Sequence, residues 1–141
     1  MISGTVAYLA DADGGFRMID LSSPGEPVDL GYNLTPGQAL GVAVDGGLAF
    51  VASETGGLRV LDVSSVSPPK VLARFRTTGD ARSATADGRF AYVADAYAGL
   101  LILDISAPEN PAPIGTFDLP NSGCSAVTVD GDTAYLTNTG I

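Results

Sequence analysis

The sequence predicts an all-β fold built from repeated four-stranded antiparallel sheets, and two observations support this prediction. The first is an internal repeat: the segments that begin AYLADADGG at Ala7, AFVASETGG at Ala49 and AYVADAYAG at Ala91 are spaced 42 residues apart. The second is that Gly or Pro interrupts the chain about every ten residues, which leaves only short apolar runs between turns. A repeat of this length made of short strands is typical of one blade of a β-propeller.

Each repeat contains four predicted strands. In the second copy these strands are Val42–Val44, Leu48–Ala52, Leu58–Val63 and Lys70–Arg76. The repeat units lie at approximately 1–40, 41–82, 83–125 and 126–141, all within one partial propeller domain that covers 1–141. At 42 residues per blade, the chain provides about three and a third blades.

Three kinds of residue recur at fixed positions, and each has a mechanical explanation. Glycines precede the third strand, where a positive φ is expected, at Gly15, Gly57 and Gly99. Aspartates end the third strand, where their carboxylates are expected to accept hydrogen bonds from the next turn, at Asp20, Asp62 and Asp104. Prolines precede the fourth strand, where a missing N–H does least harm, at Pro27, Pro69 and Pro111.

The number of blades leaves three interpretations open, because propellers close with about four to eight blades. The chain is a fragment of a longer protein, or two copies self-assemble through their open blade edges, or it forms an open arc with exposed edges. Self-assembly is motivated by complementarity, since the C-terminal hairpin offers the innermost strand that the N-terminal blade lacks.

Composition excludes several functions. The chain is acidic, with seven Lys and Arg against 16 Asp and Glu and a net charge of −9, which argues against nucleic-acid partners. Membrane insertion is not expected, because no apolar run approaches the ~20 residues that a spanning helix needs. One cysteine and no histidine exclude an intrachain disulfide, a multi-cysteine metal site and His-dependent catalytic triads. No signal peptide precedes the first repeat.

The candidate ligand face is formed by the loops from strand two to three and from strand four to the next blade. Its candidate ligand contacts are Asp13, Glu54, Asp80, Arg82, Tyr97 and Cys124. Arg82 enters an innermost strand, where it either meets an anionic ligand in the channel, pairs with Asp80 or reaches solvent. Without a histidine to activate it, Cys124 is expected to be a small buried side chain, and no catalytic residue is predicted.

Asp11 and Asp13 are the weak candidate for a metal site, because oxygen ligands at alternate positions before a glycine suit Ca²⁺. The acid that closes an EF-hand is absent, and Asp11 aligns with ordinary turn formers such as Ser53 and Asp95. Turn chemistry is therefore the favoured explanation of these residues, and no cofactor other than Ca²⁺ is considered.

The copies resemble the LVIVD repeat of bacterial and archaeal β-propeller proteins. AYVADAYAGLLILDISAPENP, from Ala91, nearly meets the pattern YVAD…GL-x-I-I-D-V-S-x-P-x-x-P, whereas the second copy departs from it at Ser53 and Val66. The resemblance implies a non-catalytic scaffold that binds a protein or other surface ligand, in an extracellular, cell-surface or periplasmic location.

The family implies no common reaction, so enzyme activity stays open. The competing hypothesis is a fragment of a propeller hydrolase similar to lactonases. Its metal ligands would then lie in other blades, because the innermost strands here are Val42–Val44, Ala84–Ala86 and Val127–Val129.

Overall fold

The computed structural model describes residues 1–65, 68–119 and 122–140, which form four antiparallel sheets in chain order. The first sheet contains β1 (Ile2–Ser3), β2 (Val6–Ala10), β3 (Phe16–Asp20) and β4 (Val28–Asn33). The second contains β5 (Gly41–Asp45), β6 (Leu48–Ala52), β7 (Leu58–Asp62) and β8 (Lys70–Phe75). The third contains β9 (Ala81–Asp87), β10 (Phe90–Asp95), β11 (Gly99–Asp104) and β12 (Ala112–Phe117). The fourth pairs β13 (Ser122–Asp130) with β14 (Thr133–Gly140).

The predicted all-β architecture of propeller blades is confirmed. Strands in every sheet follow sequence order from the innermost to the outermost strand, as the four-strand repeat requires. Nowhere in the described ranges is there a helix long and apolar enough to cross a membrane. Val66, where the second copy departs from the repeat pattern, lies outside the described residues.

The turn residues act as predicted. The glycines before the third strand have positive φ values of +74° at Gly15, +73° at Gly57 and +83° at Gly99. The aspartates that end the third strand accept a hydrogen bond from the backbone N–H two residues later, at 2.8 to 2.9 Å from Ser22, Ser64 and Ser106. Local backbone requirements in each blade therefore explain why these glycines and aspartates recur in the sequence.

The hydrophobic core is divided into three clusters, each of which joins neighbouring blades. Phe16, Met18 and Leu61 belong to the cluster that joins the first and second blades. Phe50, Val60, Val93 and Leu103 belong to the one that joins the second and third, and Leu100, Cys124 and Val127 to the one that joins the third and fourth. Because alternate residues of a strand point to opposite faces, each blade contributes one face to each neighbour.

Candidate functional site

The predicted ligand face is held together by a joint that recurs between blades. In each joint, a residue of the loop between strands two and three pairs with the segment that enters the next blade, as Ala12 with Ala39, Glu54 with Ala81, and Ala96 with Cys124. The N–H to O distances in these pairs are 2.8 to 3.1 Å. The two groups of loops that were expected to share a face are thus in direct contact.

The loop residues of these joints have an unusual backbone conformation. Ala12, Glu54 and Ala96 have positive φ values of 41°, 45° and 33°, although none is a glycine. Such values are uncommon outside glycine and cost free energy. Since all three occupy the same repeat position, the backbone hydrogen bonds that hold them are part of the framework, and the backbone of Glu54 serves the joint rather than a ligand.

A second contact tightens the joint between the second and third blades. The Gly79 N–H donates to Asp95 Oδ2 at 2.9 Å, and the Thr77 hydroxyl donates to the Gly79 carbonyl at 3.2 Å. Asp95 is 1 % exposed, and its other oxygen, Oδ1, has no hydrogen-bond partner among the described residues. Asp95 therefore does more than form a turn, since it connects two blades.

Asp11 and Asp13 take different partners. The Asp11 carboxylate lies 3.8 Å from Arg17 Nε, whereas Asp13 Oδ1 accepts a hydrogen bond from Gln38 Nε2 at 3.2 Å. Across the described part of the chain, no group of three or more Cys, Asp or Glu residues is arranged to hold a metal ion. Calcium binding at Asp11 and Asp13 stays a prediction.

The candidates at the entrance of the innermost strands differ in exposure. Arg82 is exposed and Asp80 half-buried, and the ion pairs found in the described residues do not include either of them. Arg82 therefore reaches solvent, which was one of its three expected fates. Cys124 is fully buried, as expected for a small apolar side chain, and burial raises the pKa of its thiol, with a further contribution from the negative charge of Asp95.

Tyr97 lies at the crest of its loop and is 81 % exposed. Its repeat equivalents, at the 42-residue spacing, are Thr55 and Asp13, and both are also exposed. We name Asp13, Thr55 and Tyr97 the crest residues. One backbone position thus presents three different side chains on the same face.

Arg59 is a polar residue of this region that sequence reasoning missed. It lies in β7 and is 5 % exposed, and its guanidinium donates to Asn33 Oδ1 and, at 2.7 Å, to the Leu34 carbonyl of the first blade. Burial lowers the pKa of Arg59, and the nearby charge of Arg74 lowers it further. Its signal in the sequence was a charge between Leu58 and Val60, in a strand whose other residues before the terminal Asp62 are apolar.

Comparison with known proteins supports this architecture. The LVIVD repeat model matches three times, at residues 1–35, 36–77 and 78–118. Among solved structures, the computationally designed Ika8 protein superposes with a TM-score of 0.77 at 8 % identity, over 98 % of this chain and 41 % of that one. BamB from Moraxella catarrhalis superposes with a TM-score of 0.64 at 17 % identity, over 94 % of this chain and 41 % of that one.

The chain therefore spans less than half the length of each of these two structures. At these identities the likeness concerns the fold alone. No curated protein matches the chain significantly in sequence.

Proposed function

The chain belongs to the LVIVD repeat family, and we propose that this β-propeller module is a non-catalytic binding scaffold that acts outside the cytoplasm, at a cell surface, in secreted form or in the periplasm. Its partner would be a protein or another surface ligand that contacts the face formed by the crest residues.

The observation that carries this proposal is the contrast between a constant joint and a variable crest. Ala12, Glu54 and Ala96 keep the same strained backbone and the same bridge to the next blade in three blades. Two hydrogen bonds form the bridge at Ala12 and at Glu54, and one from the Cys124 N–H forms it at Ala96. One residue further along the chain, Asp13 and Thr55 expose an acid and a hydroxyl. A rigid loop that presents different side chains is suited to recognition, because little conformational entropy is lost on binding.

Tyr97 is the side chain on this face best suited to anchor a partner. It stands 81 % exposed beside a joint that is fixed by the Ala96 to Cys124 pair. Tyrosine is enriched at interfaces because it supplies a large contact area with few rotatable bonds and a hydroxyl that can be hydrogen-bonded. An exposed tyrosine on a fixed loop contributes nothing to the core, so its replacement is not expected to unfold the blade.

The experiment is a binding screen with a matched control. The purified chain is applied to an array of surface polysaccharides and peptides, alongside Tyr97→Ser and Ile114→Ser. Ile114 is 56 % exposed on the outermost strand β12, so it controls for the loss of an exposed apolar side chain away from the crest. The wild type and Ile114→Ser should retain the same ligands, and Tyr97→Ser should lose them. If Tyr97→Ser binds the same array ligands as the wild type, the crest residues do not form the binding surface.

The location is tested separately in the source organism. Protease added to intact cells, or an osmotic-shock fraction, should give access to the protein while a cytoplasmic marker stays protected. Recovery of the protein only with that marker would reject a role outside the cytoplasm.

A further inference from the structure

Positive charge is concentrated in one stretch of the sequence of an acidic protein. The chain carries a net charge of −9, yet five of its seven Lys and Arg residues fall between positions 59 and 82. These five are Arg59, Lys70, Arg74, Arg76 and Arg82. The first four belong to the second blade and Arg82 lies in β9 of the third, so this stretch is a cationic region on a molecule that otherwise repels anions.

Two of these arginines are direct cross-strand neighbours. Arg59 in β7 pairs in register with Arg74 in β8, and Arg76 follows two residues later. Opposite residues of an antiparallel pair point to the same face, where like charges are destabilising. The lowered pKa of Arg59, caused by burial and by Arg74, agrees with this proximity. Arg59 Nε is buried and has no hydrogen-bond partner in the described chain.

The exposed members of the cluster line a cleft beside the joint of the first and second blades. Arg74 and Arg76, together with Pro36, Thr55 and Gly56, enclose about 290 Å³. The ion pairs of the described residues involve Arg17 and Arg89 but neither of these arginines. Two arginines that form no ion pair within the described residues, and a threonine, thus line one cleft.

The repeat supplies an internal control for the structural need of these charges. At the 42-residue spacing, Arg59 corresponds to Arg17 of the first blade and Leu101 of the third. Arg74 and Arg76 correspond to Tyr32 and Leu34 of the first blade, and to Thr116 and Asp118 of the third. Leu101 and Thr116 line the related cleft between the second and third blades, which Arg76 borders from the other side. No cation recurs at the positions of Arg74 and Arg76, so the repeated framework does not require these two charges.

We propose that the cleft lined by Arg74, Arg76 and Thr55 binds a phosphate group, either free or as a phosphomonoester of a larger ligand. Guanidinium groups offer paired N–H donors that match phosphate oxygens, and the Thr55 hydroxyl can donate a further hydrogen bond. The bound anion would also offset the repulsion between Arg59 and Arg74. This assignment rests on the proposed binding role and gives it a ligand class.

The test is calorimetric titration of the 141-residue chain with inorganic phosphate and, in a second arm, with glycerol phosphate. The variant R74Q/R76Q should bind at least about tenfold more weakly, since it loses charge-assisted hydrogen bonds from two side chains. The control is R82Q, which removes one exposed charge from β9 of the neighbouring third blade, outside the cleft, and should bind as the wild type does. The single variant R74Q should bind phosphate with an affinity between that of the wild type and that of R74Q/R76Q.

Folding is checked by the melting temperature without phosphate, which R74Q should leave unchanged or raise because it removes a like charge beside Arg59. Equal affinity of wild type and R74Q/R76Q, or no binding by a folded wild type, would overturn the site. Glycerol phosphate that binds as tightly as phosphate indicates a ligand carried on an ester, and selective binding of inorganic phosphate indicates the free ion. If phosphate fails to bind while Tyr97-dependent array ligands persist, the anion assignment falls and the scaffold proposal stands.

Discussion

Two glycines of the second blade allow the cost of close backbone approach to be separated from the cost of a positive φ. Gly57 has φ +73° and Gly46 has φ +54°, so alanine at either position adopts the left-handed region. A Cβ at Gly46 would meet nothing within 4 Å. A Cβ at Gly57 would lie 2.3 Å from the Phe75 carbonyl oxygen and 2.9 Å from the Thr77 nitrogen, which are backbone atoms that no rotamer change can move.

The expected magnitudes follow from this geometry. Gly46→Ala should cost about 1 kcal/mol of unfolding free energy, which is the left-handed penalty for a residue with a Cβ. Gly57→Ala should cost the same penalty and a further ~2 kcal/mol, because the end of β8 must shift to relieve the overlap. The total is therefore about 3 kcal/mol at Gly57, a difference between the two variants of about 2 kcal/mol.

The assay is urea denaturation of both variants and the wild type, followed by fluorescence of the tyrosines and by far-ultraviolet circular dichroism, with the slopes compared to verify the same transition. Gly99→Ala, whose Cβ would lie 2.2 Å from the Phe117 oxygen, should repeat the larger loss in the third blade. Equal losses for Gly46→Ala and Gly57→Ala would show that conformation alone sets the cost and would refute the argument from close approach.

Two further predictions concern the joint and the turn carboxylates. Arg59→Leu alone should cost about 2 kcal/mol of unfolding free energy, because Asn33 and Leu34 lose their donor. Asn33→Phe in addition should restore most of this loss, since Phe75 and Leu101 occupy the equivalent positions in the next joint. A urea double-mutant cycle in which the two effects are strictly additive would reject the pairing. Hydrogen bonds from Arg89, and then from Ser106, hold the pKa of Asp104 well below its usual range. Its stabilising contribution is therefore present above the unfolded pKa of about 3.9 and lost as the pH falls below it, so the urea midpoint should fall between pH 5 and pH 2 more steeply for wild type than for Asp104→Asn.

The fold was predictable from the sequence because its determinants are local and repeated. Gly57 must adopt a positive φ, Asp62 must accept the Ser64 N–H, and the apolar strands must be short, and each of these requirements recurs every 42 residues. Because the copies of the repeat agree, each assignment of a strand or turn is supported by more than one segment of the sequence. The strands of the second blade accordingly lie within one residue of their predicted bounds.

The candidate site was less predictable because its contacts join residues from different blades. Asp95 was grouped with the turn formers, although its carboxylate bonds Gly79 of the preceding blade. Arg59 was passed over because a strand pattern shows that a side chain is inward but not what it meets there. Its partners, Asn33 and Leu34, lie more than 20 residues earlier in the chain, and only the packing of the two blades brings them together.

Repeated structure changes how a residue is judged for function. Where equivalent positions hold the same residue type, as at Asp20, Asp62 and Asp104, a local requirement of the fold explains it. Where the backbone is the same but the side chains differ, the fold does not dictate the choice. By that criterion the framework does not dictate the crest residues or Arg74 and Arg76. The cationic cleft is the place where this freedom has a cost, because Arg59 and Arg74 lie side by side as like charges, and the proposed phosphate would offset that repulsion.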